Sequence, residues 1–128
     1  MNTEQAGIKK TLIVGASPNP ARYAYLAVNL LLEYGHPVIP IGIRSGNIAG
    51  NKIMDLRQRP NLKEIHTITL YINPRNQVQW YDYLIALQPE RIIFNPGTEN
   101  YQFASKVRSA NVQAIEACTL VMLRSGTY

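Results

Sequence analysis

The chain has 128 residues, 46% hydrophobic and 16% charged, with 13 basic against 8 acidic residues and a net charge of +5. That length suits one domain with a real hydrophobic core, and no apolar run approaches the ~18 residues of a membrane span. A single cysteine, Cys118, excludes an internal disulfide framework and fits a reducing cytoplasm.

Residues 1–9 read as a flexible, polar N-terminus without the apolar core of a signal peptide. Thr11–Val14 is β-branched or apolar and runs into Gly15, which predicts a buried strand ending in a glycine turn. Asn19 is placed as an N-cap and Pro20 as the first helical residue. Tyr23, Leu26, Ala27, Leu30, Leu31 and Tyr34 then define one helical face. Gly35 is the C′ residue that stops this helix, with Pro37 just beyond, and Val38–Ile41 is the second strand of a right-handed βαβ unit.

Between residues 43 and 66 the pattern supports a small strand near Lys52–Met54 and a helical turn near Asn61–Glu64. Thr67–Ile72 alternates as a strand. Asn73-Pro74 repeats the cap-then-proline signal, and Val78, Tyr81, Leu84 and Ile85 give the next helix a buried stripe. Arg91–Phe94 is a strand, and Asn95–Thr98 is a turn with Thr98 as N-cap of a helix carrying Tyr101, Ala104 and Val107. Val112–Ile115 is the last strand, with Leu120–Leu123 along its edge. His36 and His66 fall at surface positions, and Cys118 reads as a packed thiol.

Strands separated by helices predict an α/β fold over 1–128: a three-layer Rossmann-like domain, its doubly wound, mostly parallel sheet of five or six strands covered by helices on both faces. Ligands of such sheets sit beyond the carboxyl ends of the strands, where the winding reverses. Four loops meet there: 15–22, 42–44, 73–75 and 95–98. The first presents backbone N–H groups and the positive end of a helix dipole, a site for phosphate. Its candidates are Gly15, Ala16, Ser17, Asn19, Pro20, Arg22 and Tyr23; the other loops add Arg44, then Asn73 and Pro74 after Ile72, then Asn95 and Gly97.

The G-x-G-x-x-G fingerprint retains only Gly15, with Ser17 and Pro20 at the other two positions. The acid that would hold a ribose diol is replaced by Ile41-Gly42-Ile43-Arg44. NAD is disfavoured, and Arg44 suits the extra phosphate of NADP or coenzyme A. The charge fits a small phosphorylated ligand; the scattered basic residues disfavour nucleic acid. No catalytic constellation and no metal-ligand spacing occurs. Tyr-rich helix surfaces are compatible with a homodimer or a partner subunit.

Gly15-Ala16-Ser17-Pro18-Asn19-Pro20-x-Arg22 resembles the opening of the small bacterial CoA-binding proteins, which are similar to the CoA-binding domain of the succinyl-CoA synthetase α-subunit. The resemblance continues through Leu31–Ile41, Ile48–Lys52 and Ile115–Cys118. It implies non-catalytic binding of coenzyme A or an acyl-CoA, with the Gly15–Arg22 turn on the diphosphate. Arg44 would stand close to the adenosine phosphate, and Ile72-Asn73-Pro74 would form part of the adenine or ribose wall. An NADP-binding Rossmann enzyme or redox sensor is the alternative. The family's Asn-Pro-Lys after strand two is Gly42-Ile43-Arg44 here, and its Trp-x-Gln-x-Gly run is replaced by Phe94-Asn95-Pro96-Gly97.

Overall fold

The computed structural model describes residues 7–128. Six short strands form one fully parallel sheet: β1 (Thr11–Val14), β2 (Val38–Gly42), β5 (Met54–Asp55), β6 (Thr67–Leu70), β7 (Arg91–Phe94) and β8 (Gln113–Glu116), in spatial order β5-β2-β1-β6-β7-β8. A separate antiparallel pair, β3 (Asn47–Ile48) and β4 (Asn51–Lys52), projects between β2 and β5. Thr11 of β1 is in register with Val38 of β2 on one side and Thr67 of β6 on the other. The chain thus winds one way to β2 and β5, returns to the middle, and winds the other way through β6, β7 and β8. The reversal falls between β1 and β6, so their carboxyl ends diverge into a crevice.

Every residue of β1, β6 and β7 is buried, as expected of parallel strands covered on both faces. Alternation still sorts their side chains. Ile13 joins Val28, Leu31, Ile48 and Leu123 beneath α1 (Tyr23–Glu33) and α5 (Thr119–Ser125). Leu12, Val14, Ile68, Leu70, Ile92 and Phe94 face the opposite layer. That layer holds α2 (Pro74–Gln77), a 3-10 turn at Val78–Trp80, α3 (Tyr81–Ala86) and α4 (Tyr101–Ser109). Phe103 of α4 stacks on Tyr81 at 4.3 Å between ring centroids and meets Phe94 edge-on at 5.6 Å.

Gly35 (φ +86°) ends α1 as expected. Its N–H reaches the Leu32 carbonyl and that of His36 reaches Leu31, the two bonds of a Schellman cap. Asn73 caps α2 through its Oδ1, which accepts from the Asn76 N–H at 3.0 Å.

Other expectations are corrected. Asn19 does not cap α1: its Oδ1 accepts from the Ala21 N–H in a local turn, and the helix begins only at Tyr23, with Arg22 as N-cap. The expected helical turn at 61–64 is instead a 3-10 turn at Leu56–Gln58, where Asp55 accepts from the Arg57 N–H. Asn100, not Thr98, caps α4, and the Thr98 hydroxyl is spent on the Asn95 carbonyl. Tyr101 is 83% exposed and Val78 59% exposed, while Phe103 takes the buried place on α4. Leu120–Leu123 lies within helix α5 and not along an edge strand. His36 is buried. Residues 1–6 of the expected flexible N-terminus lie outside the described residues; within 7–9, the Lys9 N–H is bonded to His36. No helix among the described residues is long and apolar enough to cross a membrane.

Candidate functional site

The crevice at the β1/β6 reversal opens into a cavity of about 550 Å³, within the range of small-molecule sites. Its floor is backbone. Gly15 has φ +97°, and a Cβ there would meet the Tyr71 carbonyl oxygen at 2.8 Å. A Cβ on Gly42 would strike the Ala16 carbonyl oxygen at 2.6 Å. Both glycines are therefore demanded by close approach of neighbouring loops.

The same packing decides which N–H groups are available. Those of Gly15 and Ala16, the obvious donors from sequence, both point at the Ile41 carbonyl at 2.9 and 3.1 Å. The open donors lie further on. Tyr23, Ala24 and Tyr25 begin α1, and no side chain caps them; the first turn of a helix leaves its N–H groups without intrahelical partners. The Ser17 N–H also has no acceptor among the described residues. Tyr23, Ala24 and Ser17 line the cavity. This is an uncapped start of an 11-residue helix, with its positive dipole end facing the crevice.

Two guanidinium groups join it. Arg22 and Arg44 are exposed at the rim, and neither side chain makes an ion pair or hydrogen bond among the described residues. Among the described residues no aspartate or glutamate lines the cavity. The wall opposite is apolar and amide: Leu56, Ile72, Trp80 and Pro96, with Asn73, Asn76 and Gln79.

Behind the lining, two buried side chains lock the loops. Gln77 Nε2 donates to the carbonyls of Ile72 (2.9 Å) and Thr98 (2.8 Å), and its Oε1 accepts from Asn100. Asn95 Nδ2 donates to Thr69 Oγ1 (2.6 Å) and the Leu70 carbonyl (2.8 Å), while its Oδ1 accepts from the Thr119 N–H (2.9 Å). The Tyr71 hydroxyl is buried without a hydrogen bond among the described residues, beside Thr69 and Thr119 hydroxyls already bonded to each other at 2.8 Å. Burial pushes that phenol well up, so it stays protonated.

Nine of the thirteen residues singled out from sequence line this one cavity: Gly15, Ala16, Ser17, Arg22, Tyr23, Arg44, Ile72, Asn73 and Gly97. The other four stand outside it. Asn19 and Pro20 shape the exposed turn before α1, Pro74 opens α2, and Asn95 has its amide fully spent on the protein. Sequence reasoning missed Asn76 and Trp80. With Asn73 they form steps of three and four, a helical stripe facing the crevice.

A second cavity of about 400 Å³ adjoins the first at Gly42-Ile43-Arg44. Lys52 of β4 lines it, as do Arg57 and Asp55. Arg57 pairs with Asp55 at 2.9 Å and holds that carboxyl below its usual range. The pair is neutral as a unit, so Arg44 and Lys52 set the local charge. Among the described residues no cluster of His, Cys, Asp and Glu could hold a metal ion.

Residues 9–124 match the family model described as a CoA binding domain. The chain belongs to this family. Among solved structures, this CoA-binding-domain protein is similar to an uncharacterized protein at 45% identity and a TM-score of 0.92, over 95% of this chain and 99% of that one. A hypothetical protein from Pyrococcus horikoshii OT3 shares 22% identity and a TM-score of 0.81, over 98% and 92% of the two chains. RSP, a Rex-family repressor, shares the fold at 16% identity and a TM-score of 0.61, over 98% of this chain and 60% of that one. None of the curated proteins matches.

Proposed function

We propose that this protein binds coenzyme A or an acyl-CoA at the carboxyl edge of its sheet and performs no chemistry on it alone. The observation that carries this reading is one cavity in which an uncapped helix start and two arginines meet, with no ion-pair partner and no carboxylate among the described residues. The free N–H groups of Tyr23 and Ala24, with Arg22, hold the diphosphate. Arg44, where the two cavities join, and Lys52 of the second cavity receive the phosphate on the ribose. The ligand's uncharged remainder runs along Leu56, Ile72, Trp80 and Pro96.

Trp80 is the only tryptophan of the chain and lines the cavity, so its emission reports occupancy. Titration with coenzyme A should change that emission and release heat on the same binding curve. Dephospho-CoA should bind about tenfold more weakly or worse, because it forfeits a charge-assisted contact worth about 1.5–3 kcal/mol. Equal affinity for the two would remove Arg44 and Lys52 from ligand binding and leave the diphosphate site standing. Silence toward coenzyme A with a response to NADP would move the site to the alternative cofactor, whose ribose phosphate asks for the same cations. Silence toward all three would end the proposal.

A further inference from the structure

The opposite edge of the sheet carries a polar cluster that ligand binding does not use. His36 is buried at the turn between α1 and β2, and its Nδ1 accepts the backbone N–H of Lys9 at 3.0 Å. Its ring lies 5.0 Å from that of Tyr128. On Tyr128 also rests the guanidinium of Arg91, 4.4 Å from the ring centre, and Arg91 itself is buried. Arg91 donates from Nε to Thr67 Oγ1 at 2.8 Å and from Nη2 to the main-chain oxygen of Tyr128 at 3.3 Å. The Tyr128 hydroxyl is hydrogen-bonded to Thr11 Oγ1, which also donates to the Lys9 carbonyl at 2.8 Å. Three strand starts (β1, β6 and β7), the segment before β1 and the segment after α5 are thus tied into one knot.

We propose that this knot is an acid-sensitive clasp: protonation of His36 opens it, freeing Lys9 and residues 126–128 from the sheet while the ligand edge stays folded. The Lys9–His36 bond exists only while Nδ1 carries a lone pair. Protonation replaces the acceptor with a second donor aimed at the Lys9 N–H. It also adds a cation to a site already holding Arg91, with the Lys9 ammonium on the same tyrosine ring at 6.0 Å. The nearby acid, Glu90, is engaged at 3.2 Å by His66, whose own Nδ1 is bonded to Thr67 Oγ1 at 2.7 Å. The charges that act on His36 are those of Lys9, Arg91 and His66.

The direction of titration agrees. Burial holds the His36 imidazole below its usual range, and the charges of Lys9, Arg91 and His66 push it the same way. His66 is also lowered, by burial first, against the opposing pull of Glu90. Burial raises the Tyr128 phenol, which stays a neutral donor throughout. A histidine lowered by folding contributes stability that is complete above its ordinary value near 6.5 and is lost as pH falls toward and through its folded value.

The test follows three signals by NMR and fluorescence between about pH 7.5 and about pH 4.5: the His36 ring resonance, exchange protection of the Lys9 amide corrected for intrinsic rate, and Trp80 emission. Lys9 protection should fall by about tenfold per pH unit as pH drops below about 6.5, and level off once His36 is protonated in the closed clasp as well, with Trp80 unchanged. His36→Asn keeps an acceptor near the Nδ1 position and should hold Lys9 protection flat. Protection that ignores the His36 curve overturns the clasp, as does an identical step in His36→Asn, which would assign it to His66. Collapse of Trp80 emission in step with Lys9 protection would mean global unfolding and also overturn it. Should His36→Asn not fold, coincidence of the wild-type curves decides alone.

Discussion

The two ends of this parallel sheet are built on opposite rules. At the amino edge, His36 Nδ1, the Thr11 and Thr67 hydroxyls, and Arg91 Nε and Nη2 are all bonded to the protein. At the carboxyl edge the frame is equally well bonded through Gln77 and Asn95, yet the surface it supports is left open. There α1 starts uncapped, and Arg22 and Arg44 stand unpaired. Satisfied polar groups stabilise a fold, whereas accessible unsatisfied ones are what a ligand can complete. Charge alone would not separate the edges, since both carry arginine. Hydrogen-bond accounting does.

The comparison breaks most visibly at Arg91. Arg91→Ala removes a buried cation and leaves Thr67 Oγ1 and the main-chain oxygen of Tyr128 without it; chemical denaturation should register a loss of about 2–4 kcal/mol, with coenzyme A affinity unchanged in the folded fraction. Arg22→Ala should do the reverse. Affinity measured by calorimetry should drop by about 1.5–3 kcal/mol, the range for a hydrogen bond to a charged group, and unfolding should move by under about 0.5 kcal/mol. A stability loss at Arg22 as large as that at Arg91 would erase the distinction between the edges. The smallest effect belongs to Tyr101, 83% exposed. Tyr101→Ala should change stability by under about 0.5 kcal/mol; a larger loss in the same denaturation experiment would mean the tyrosine is covered in solution.

The central strands were legible because burial on both faces demands continuous apolar runs, and Gly15, Gly35 and Asn73 punctuate them with residues whose backbone or side-chain role is local. What escaped the sequence depended on partners far along the chain. Asn100 outcompetes Thr98 as a cap while its Nδ2 is also held by Gln77 Oε1 and the Tyr81 hydroxyl, a geometry no local pattern encodes. Asn19-Pro20 has the composition of a helix start, yet its amide closes a turn onto Ala21. In the site, the residue types of the glycine turn were readable, but the donors were misplaced. Whether the Gly15 N–H is free depends on Ile41, 26 positions away. Lys52 and Trp80 reach the site from segments whose placement only the sheet order reveals.

The contact between Gly42 and Ala16 has an evolutionary consequence. Where two backbones touch with no room for a Cβ, there is no side chain to drift, so the cavity floor is closed to gradual change. Variation is confined to the rim, at exposed positions such as 22, 44 and 52, each of which can be exchanged without moving the floor beneath it. Descendants of such a chain would be free to change which phosphate they prefer long before they could change where it sits.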